Sequence, residues 1–272
     1  MAEKQNRIDQ KLASLKAVGK KGLLPYVTAG LPDLATTQRV LEVLAELGVT
    51  AVELGFPYSD PIADGPTIQS SFTRVLERGI HVRDILAMVS RFRRTSDLPL
   101  LAMLSYSIAY RIGLPAFARM ACDAGIDGLI LPDLSLEEAP QAAQTVADAG
   151  LCLPMLVSPA SSPDRRKRIA AISTGFVYYM SVTGITGERD QLPSELIQNV
   201  RELRETSGRP VIVGFGISTA EHVRLVCSEA EGAIIGSALV RRMMEAEDAG
   251  GDRDAVVETA RSAVADWMTG LP

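Results

Sequence analysis

Two acidic residues stand in a segment that otherwise has the composition of a buried strand and a stiff loop. Glu53 lies inside the short apolar run Ala51–Phe56, and Asp64 follows eleven residues later. Burying a carboxyl group costs several kcal/mol unless it has a partner or a chemical task. Three prolines restrict the backbone around Asp64 and suit a loop that presents a carboxylate in one place: Pro57, Pro61 and Pro66. One fixed carboxylate and one on a loop predict a proton-transfer site.

The same residues have a structural interpretation as well. Asp64-Gly65 is a common turn sequence, and Glu53 could form a salt bridge with a neighbouring strand. The composition leaves few other candidates for chemistry. The only two histidines, His81 and His222, offer little for a histidine metal site or a Ser-His-Asp triad. The three cysteines are too far apart in sequence for a zinc motif.

Charge and hydropathy exclude some classes of partner. The 272 residues carry a formal net charge of -5, which argues against nucleic acid as the main partner. The segment Met1-Ala2-Glu3-Lys4-Gln5-Asn6 is too polar for a signal peptide, and no apolar run is long enough to span a bilayer. We therefore expect a soluble cytoplasmic protein without membrane contact.

Short apolar runs alternate with amphipathic stretches along the whole chain. The predicted strands are Gly22–Thr28, Ala51–Phe56, Leu98–Leu104, Gly128–Leu131, Cys152–Val157, Gly175–Ser181, Pro210–Phe215 and Gly232–Ile235. The predicted helices between them include Thr36–Leu47, Val82–Arg93, Ala116–Ala124, Glu137–Ala149, Arg165–Ile172, Ser194–Glu205 and Ala220–Glu229. Helices are also predicted near the two ends of the chain, at Arg7–Val18 and Asp254–Met268.

Eight buried strands that alternate with helices are typical of a parallel sheet closed into a barrel. The predicted fold class is therefore α/β, a (β/α)8 TIM barrel with an extra N-terminal helix and additional helices. We expect one domain spanning residues 1–272. An open doubly wound sheet would normally show a Gly-x-Gly-x-x-Gly turn after its first strand, and that turn is absent.

Barrel enzymes carry their sites at the C-terminal ends of the strands, so Glu53 and Asp64 would face the same mouth. Three glycine-rich segments follow the later strands: Gly214-Phe215-Gly216-Ile217-Ser218, Gly236-Ser237-Ala238 and Gly184-Ile185-Thr186-Gly187. Glycine lets backbone amides approach an anion, and a following helix adds favourable partial charge. No lysine or arginine accompanies these segments, which predicts a phosphate site made mainly of backbone amides.

Aromatic and branched residues near the strand ends could enclose a flat ring at the same mouth. They are Tyr26, Leu104, Tyr106, Ile130, Tyr178 and Phe215. Side chains at such positions are also common in a plain barrel core. The alternatives at this point are an apolar slot for a ligand and ordinary packing.

Taken together these segments resemble the tryptophan synthase alpha subunit family over nearly the whole chain. The most specific piece is the stretch Glu53-Leu54-Gly55-Phe56-Pro57-Tyr58-Ser59-Asp60-Pro61-Ile62-Ala63-Asp64-Gly65-Pro66-Thr67-Ile68-Gln69. Three further segments match in the same order: Pro25-Tyr26-Val27-Thr28-Ala29-Gly30, Ser181-Val182-Thr183-Gly184-Ile185-Thr186-Gly187 and Gly214-Phe215-Gly216-Ile217-Ser218.

The resemblance implies a lyase that cleaves indole-3-glycerol phosphate to indole and glyceraldehyde 3-phosphate without cofactor or metal. It implies Glu53 as acid and base at the indole carbon and the glycerol hydroxyl, and Asp64 as the group that stabilises the indole N–H. Tyr178 would line the site beside Glu53, and Thr186 would close over Asp64. The residues that match the family's phosphate contacts are Gly187, Phe215, Gly216, Gly236 and Ser237.

The resemblance also implies a partner, a pyridoxal-phosphate beta subunit that receives indole within an αββα tetramer. The segment Ser107-Ile108-Ala109 departs from the asparagine-proline pair that commonly follows Tyr106 in the family, at a place that would face this partner. Three other functions stay open from the sequence. They are a stand-alone indole-3-glycerol phosphate lyase, a phosphosugar isomerase on the same scaffold, and a non-catalytic subunit that binds a phosphorylated ligand.

Overall fold

A computed structural model describes residues 6–61, 64–181 and 192–272. Within these ranges eight strands form one sheet, and each lies inside a strand predicted from the sequence. The strands are β1 (Gly22–Thr28), β2 (Val52–Gly55), β3 (Leu100–Met103), β4 (Gly128–Ile130), β5 (Met155–Val157), β6 (Val177–Met180), β7 (Val211–Gly214) and β8 (Gly232–Ile235).

All paired neighbours in the sheet run parallel, in the order β4-β3-β2-β1-β8-β7-β6-β5. A parallel bridge between Gly128 and Cys152 connects β4 to the residues just before β5. The two ends of the sheet therefore meet, and the sheet forms a nearly closed barrel. The predicted (β/α)8 TIM barrel is confirmed.

Helices surround the barrel and also occupy places where none was predicted. In the described ranges they are α1 (Arg7–Ala17), α2 (Leu34–Leu47), α3 (Pro66–Glu77), α4 (Val82–Phe92), α5 (Tyr106–Ile112), α6 (Leu114–Ala124), α7 (Ala139–Asp148), α8 (Pro163–Ile172), α9 (Leu196–Ser207), α10 (Ala220–Cys227), α11 (Ser237–Asp248) and α12 (Arg253–Met268). Helices α3, α5 and α11 are the unpredicted ones. No helix in the described part of the chain is long and apolar enough to cross a membrane.

Successive side chains of each strand point to opposite faces of the sheet and separate two apolar layers. In β3, Leu100 and Ala102 pack in the layer between the sheet and the helices. Leu101, between them, packs inside the barrel with Tyr178 and Ile212. This alternation decides which strand residues can reach the mouth of the barrel.

The N-terminal end of the barrel is closed by α1 and a buried ion network. Ile8 and Leu12 of α1 pack into the interior layer. The carboxylate of Asp127 accepts hydrogen bonds from Arg7 Nη1 at 2.9 Å, from Arg93 Nη2 at 3.1 Å and from the Leu100 amide at 2.9 Å. These contacts close the N-terminal end of the barrel, and the opposite end is the one at which barrel enzymes carry their sites.

Candidate active site

A cavity opens at the C-terminal end of the barrel. The polar side chains that line it are Tyr26, Glu53, Asp64, Tyr178 and Ser237. The other lining residues are Ile68, Met103, Phe215, Gly216, Ile217, Ile234 and Gly236. The structure therefore brings both predicted carboxylates and the glycine segments after β7 and β8 to one cavity.

Glu53 points into the barrel because of the alternation along β2. Its neighbours Val52 and Leu54 pack in the outer layer, so the side chain between them faces inward. Glu53 is 1% exposed, and its Oε1 atom has no hydrogen-bond partner among the described residues. A salt bridge to a neighbouring strand, the structural alternative, does not occur within those ranges. An unpaired buried carboxyl group is costly, and such groups cluster at functional sites.

Burial raises the pKa of Glu53 from its ordinary value of 4.5 to about 8. Removal from water disfavours the charged form, and no positive charge among the described residues compensates for it. At neutral pH the carboxyl group is therefore mostly protonated. A protonated carboxyl group with a pKa close to neutrality can both give and take a proton during one reaction.

The raised pKa of Glu53 predicts that stability falls with rising pH. The unfolded chain loses this proton near pH 4.5, whereas the folded chain keeps it until about pH 8. Between these values the folded state binds more protons, so the free energy of unfolding decreases by roughly 1 kcal/mol per pH unit. We expect the variant Glu53→Gln to lack this contribution and to gain stability over the wild type from pH 5 to pH 8. Urea unfolding at several pH values measures the difference.

Glu205→Gln is the matched control, because Glu205 is an exposed residue of α9 far from the barrel mouth. Its stability should follow the wild-type pH dependence closely. Parallel curves for Glu53→Gln and the wild type between pH 5 and pH 8 would show that Glu53 is already ionised in the folded protein.

Asp64 is held at the cavity by residues from both sides of its loop. The hydroxyl of Tyr58 donates to Asp64 Oδ2 at 3.0 Å, and the Tyr58 ring packs against Phe72 of α3, with centroids 5.3 Å apart. Gln69 Nε2 donates to the carbonyl oxygen of Asp64 at 2.7 Å. Burial raises the pKa of Asp64, and the hydrogen bond from Tyr58 partly opposes this by stabilising the carboxylate. Asp64 thus has a more polar environment than Glu53.

Two tyrosines form the apolar sides of the cavity and lie against glycines of adjacent strands. Any side chain at Gly55 would collide with Tyr26, and any side chain at Gly214 would collide with Tyr178. Burial raises the pKa of both phenols well above the ordinary value, so they are neutral hydroxyl groups. The ring of Phe215 meets Tyr178 edge-on, with centroids 5.7 Å apart.

The glycine segment after β7 has an unusual backbone. Phe215 and Gly216 have φ angles of 71° and 76°, and a positive φ costs a residue with a side chain on the order of 1 kcal/mol or more. The Ser181 hydroxyl donates to the Phe215 carbonyl and helps to hold this conformation. The segment after β8 leads directly into α11, whose first residue, Ser237, lines the cavity. The first amides of a helix lack partners within the helix and are available to a ligand. No lysine or arginine is among the described residues that line this cavity.

Three residues predicted for the apolar wall do not line the cavity. Leu104 is fully buried in the outer layer, because its position along β3 gives it the same orientation as Leu100 and Ala102. Ile130 faces the barrel interior but packs in the core without reaching the cavity. Tyr106 is half-buried at the start of α5, where its ring contacts that of Tyr110. Thr186 and Gly187 lie outside the described residues.

Four lining residues were missed from the sequence: Ile68, Met103, Ile217 and Ile234. Met103 takes the place expected of Leu104. It lies two residues after the interior residue Leu101, so the alternation of side chains along a strand predicts that it faces inward. The same alternation along β8 places the side chain of Ile234 inside the barrel. Ile217 adjoins Gly216, and Ile68 lies in the first turn of α3, whose apolar period Ile68, Phe72 and Val75 is legible in the sequence.

The arrangement offers nothing that resembles a metal site. Within residues 6–61, 64–181 and 192–272, no group of three or more His, Cys, Asp or Glu side chains could hold a metal ion. What the cavity does offer is one neutral buried carboxyl group, a second carboxyl group on a loop, and backbone amides for an anion. Acid-base chemistry on a phosphorylated ligand suits this set.

Comparisons with known proteins agree with this chemistry. The family model described as "Tryptophan synthase alpha chain" matches residues 12–266. The tryptophan synthase alpha chain of Rhodopirellula baltica is 42% identical over 256 residues, which cover 93% of this chain and 88% of that protein. The crystal structure of tryptophan synthase subunit alpha from Legionella pneumophila is 35% identical, with a TM-score of 0.89 and coverage of 98% of each chain. A chain from the tryptophan synthase complex of Pyrococcus furiosus is also 35% identical, with a TM-score of 0.83 and coverage of 92% of this chain and 99% of that one.

A family model over most of the chain and relatives above 40% identity identify the family. The chain belongs to the tryptophan synthase alpha chain family, lyases that cleave indole-3-glycerol phosphate in tryptophan biosynthesis.

Proposed function

We propose that Glu53 and Asp64 carry out the cleavage of indole-3-glycerol phosphate in the cavity at the C-terminal end of the barrel. The observation that carries this assignment is the burial of Glu53 without a partner among the described residues, in the cavity that Asp64 also lines. A retro-aldol cleavage needs a proton delivered to carbon 3 of the indole ring and a proton removed from the adjacent glycerol hydroxyl. One carboxyl group can do both in sequence.

Glu53 begins the cycle protonated, as its pKa of about 8 requires near neutral pH. It gives its proton to the indole carbon, which leaves Glu53 as a carboxylate and places positive charge on the ring nitrogen. The carboxylate then takes the proton of the glycerol hydroxyl. The bond between the ring carbon and the glycerol carbon breaks, its electron pair returns to the ring, and the hydroxyl carbon becomes the aldehyde. Glu53 ends the cycle protonated again.

Asp64 supports this step from the other side of the ring in our proposal. Its carboxylate accepts the indole N–H and stabilises the positive charge that develops on the nitrogen. The hydrogen bond from the Tyr58 hydroxyl favours the ionised form of Asp64, which this role requires. Tyr178 and Tyr26 pack against the substrate as neutral walls and limit the entry of water.

The phosphate group would lie on the other side of the cavity, against the glycine segments after β7 and β8. The residues proposed as its contacts are Phe215, Gly216, Gly236 and Ser237, all of which line the cavity. Backbone amides and the first turn of α11 supply the hydrogen-bond donors and the favourable partial charge. The whole chain would act as one catalytic unit in this scheme.

A beta subunit is the proposed partner, in an αββα tetramer. Support comes from the Pyrococcus furiosus relative, which is part of a tryptophan synthase complex. Large apolar side chains are also exposed on α5, which follows β3 at the same end of the barrel as the cavity. Tyr110 is 72% exposed and Ile112 is 40% exposed, as is typical of a surface that a partner covers.

Indole release from indole-3-glycerol phosphate by the purified chain tests the proposal. We expect slow turnover alone and a rise of about tenfold or more when a cognate beta subunit is added, because the partner favours the active conformation. Fast turnover that is indifferent to the beta subunit would identify a stand-alone lyase. No turnover under either condition would contradict the catalytic assignment.

A further inference from the structure

The only tryptophan of the chain occupies a place that the proposed reaction does not explain. Trp267 lies in the last turn of α12 and is completely buried. It is not among the residues that line the cavity. Its Nε1 atom donates a hydrogen bond of 2.9 Å to the carbonyl oxygen of Ser218. Ser218 is only two residues beyond Gly216, so the indole ring is tied to the glycine segment after β7.

The same ring also contacts the element that follows β8. The guanidinium carbon of Arg242 lies 4.9 Å from the centroid of the Trp267 ring, within the range of a cation–π contact. Arg242 belongs to α11, the helix whose first residue is Ser237. Trp267 therefore contacts residues that follow both glycine segments. Its Nε1 atom bonds to Ser218, and the face of its ring meets Arg242.

The end of α12 is fixed in place by a close backbone contact. Gly270 packs so tightly on Ala220, the first residue of α10, that a side chain at 270 would collide with the carbonyl of Ala220. The Ser218 amide in turn donates to His222 Nδ1 of α10 at 3.4 Å. A close backbone contact thus joins the end of α12 to α10, and a hydrogen bond joins α10 to the segment after β7.

From these contacts we infer that Trp267 is a positioning residue for the phosphate group of the substrate. It acts through Ser218 and Arg242 and does not touch the ligand. A phosphate held by backbone amides depends on the relative placement of the two segments, since no described cationic side chain lines the cavity to compensate for a shift. The inference rests on the proposed phosphate site and adds a residue to it.

The test is the variant Trp267→Phe, which keeps an aromatic ring but removes the N–H donor. We expect the KM for indole-3-glycerol phosphate and the inhibition constant of glycerol 3-phosphate to rise about tenfold, the effect of one well-placed hydrogen bond. The kcat should stay within about twofold, and inhibition by indole, which lacks phosphate, should not change. A general loss of structure would affect both inhibitors alike.

Two further variants keep the inference testable if Trp267→Phe folds poorly. Arg242→Gln removes the cation–π contact and leaves the tryptophan in place, so the inhibition constant of glycerol 3-phosphate should rise about threefold. Val256→Ala is the matched control, because Val256 is a buried residue in the first turn of the same helix. Its inhibition constants should equal those of the wild type.

The outcomes separate the two proposals. A wild-type chain that glycerol 3-phosphate does not inhibit would contradict the phosphate site itself. A wild type that is inhibited, together with Trp267→Phe and Arg242→Gln variants that are inhibited equally well, would overturn the role of Trp267 and leave the phosphate site standing. An equal weakening in Val256→Ala would assign the effect to general helix packing and would also overturn the inference.

Discussion

Replacing Glu53 by glutamine should lower the kcat for indole-3-glycerol phosphate cleavage by about three orders of magnitude, the contribution typical of a general acid-base group. Glutamine keeps the size of the side chain and its inward orientation between Val52 and Leu54. It cannot donate a proton to the indole carbon or accept one from the glycerol hydroxyl. Single-turnover measurement of indole release isolates the chemical step from binding.

The fold should survive this change, because Glu53 forms no ion pair or hydrogen bond through Oε1 in the described structure. Circular dichroism and the urea midpoint check this, and Glu205→Gln serves again as the control with wild-type turnover. A Glu53→Gln variant that retains activity within tenfold of the wild type would refute the assignment of Glu53 as the acid-base group.

Replacing Asp64 by asparagine should lower kcat by about a hundredfold or more, while the inhibition constant of glycerol 3-phosphate changes little. The asparagine amide keeps the shape but lacks the negative charge that stabilises the ring nitrogen in the transition state. The loop contacts of the Asp64 backbone, including the bond from Gln69 to its carbonyl, do not depend on the carboxylate. Steady-state kinetics with glycerol 3-phosphate as inhibitor separate turnover from binding.

Tyr58→Phe provides the matched control for Asp64. It removes the hydroxyl that donates to Asp64 Oδ2 and keeps the ring that packs on Phe72. We expect a smaller loss of kcat than in Asp64→Asn, because the carboxylate remains but is less well oriented. If Asp64→Asn lost ligand affinity and turnover to the same extent, Asp64 would have a structural role in its loop and not a chemical one.

The residues behind these predictions were recognised from different features of the sequence. Glu53 could be found because a charged residue inside an apolar run of six is chemically conspicuous. The prolines around Asp64 supported its assignment to the site. The position of two glycine segments directly after β7 and β8 supported the assignment of a phosphate site. All of these features are local in sequence, and Glu53, Asp64 and residues of both glycine segments line the same cavity.

Side-chain direction explains one difference between the predicted apolar wall and the cavity lining. Leu104 and Met103 are neighbours near the end of β3, and both are apolar, so composition does not distinguish them. The closed sheet does, because only one of the two can face the barrel interior. Tyr106 was expected in the wall because it lies close to the predicted end of β3 at Leu104. The chain instead enters α5 at that residue.

The sequence by itself determined the alternation of strands and helices, the barrel, and the identity of the two acidic residues. Each of these depends on periodicity or on residue types within a few positions. Tertiary structure alone decided which face of each strand reaches the cavity and how far the pKa of Glu53 rises. It also decided that Trp267 contacts Ser218, a residue 49 positions away. Burial and long-range contact arise only when the sheet closes and the helices pack around it, and no local pattern records them.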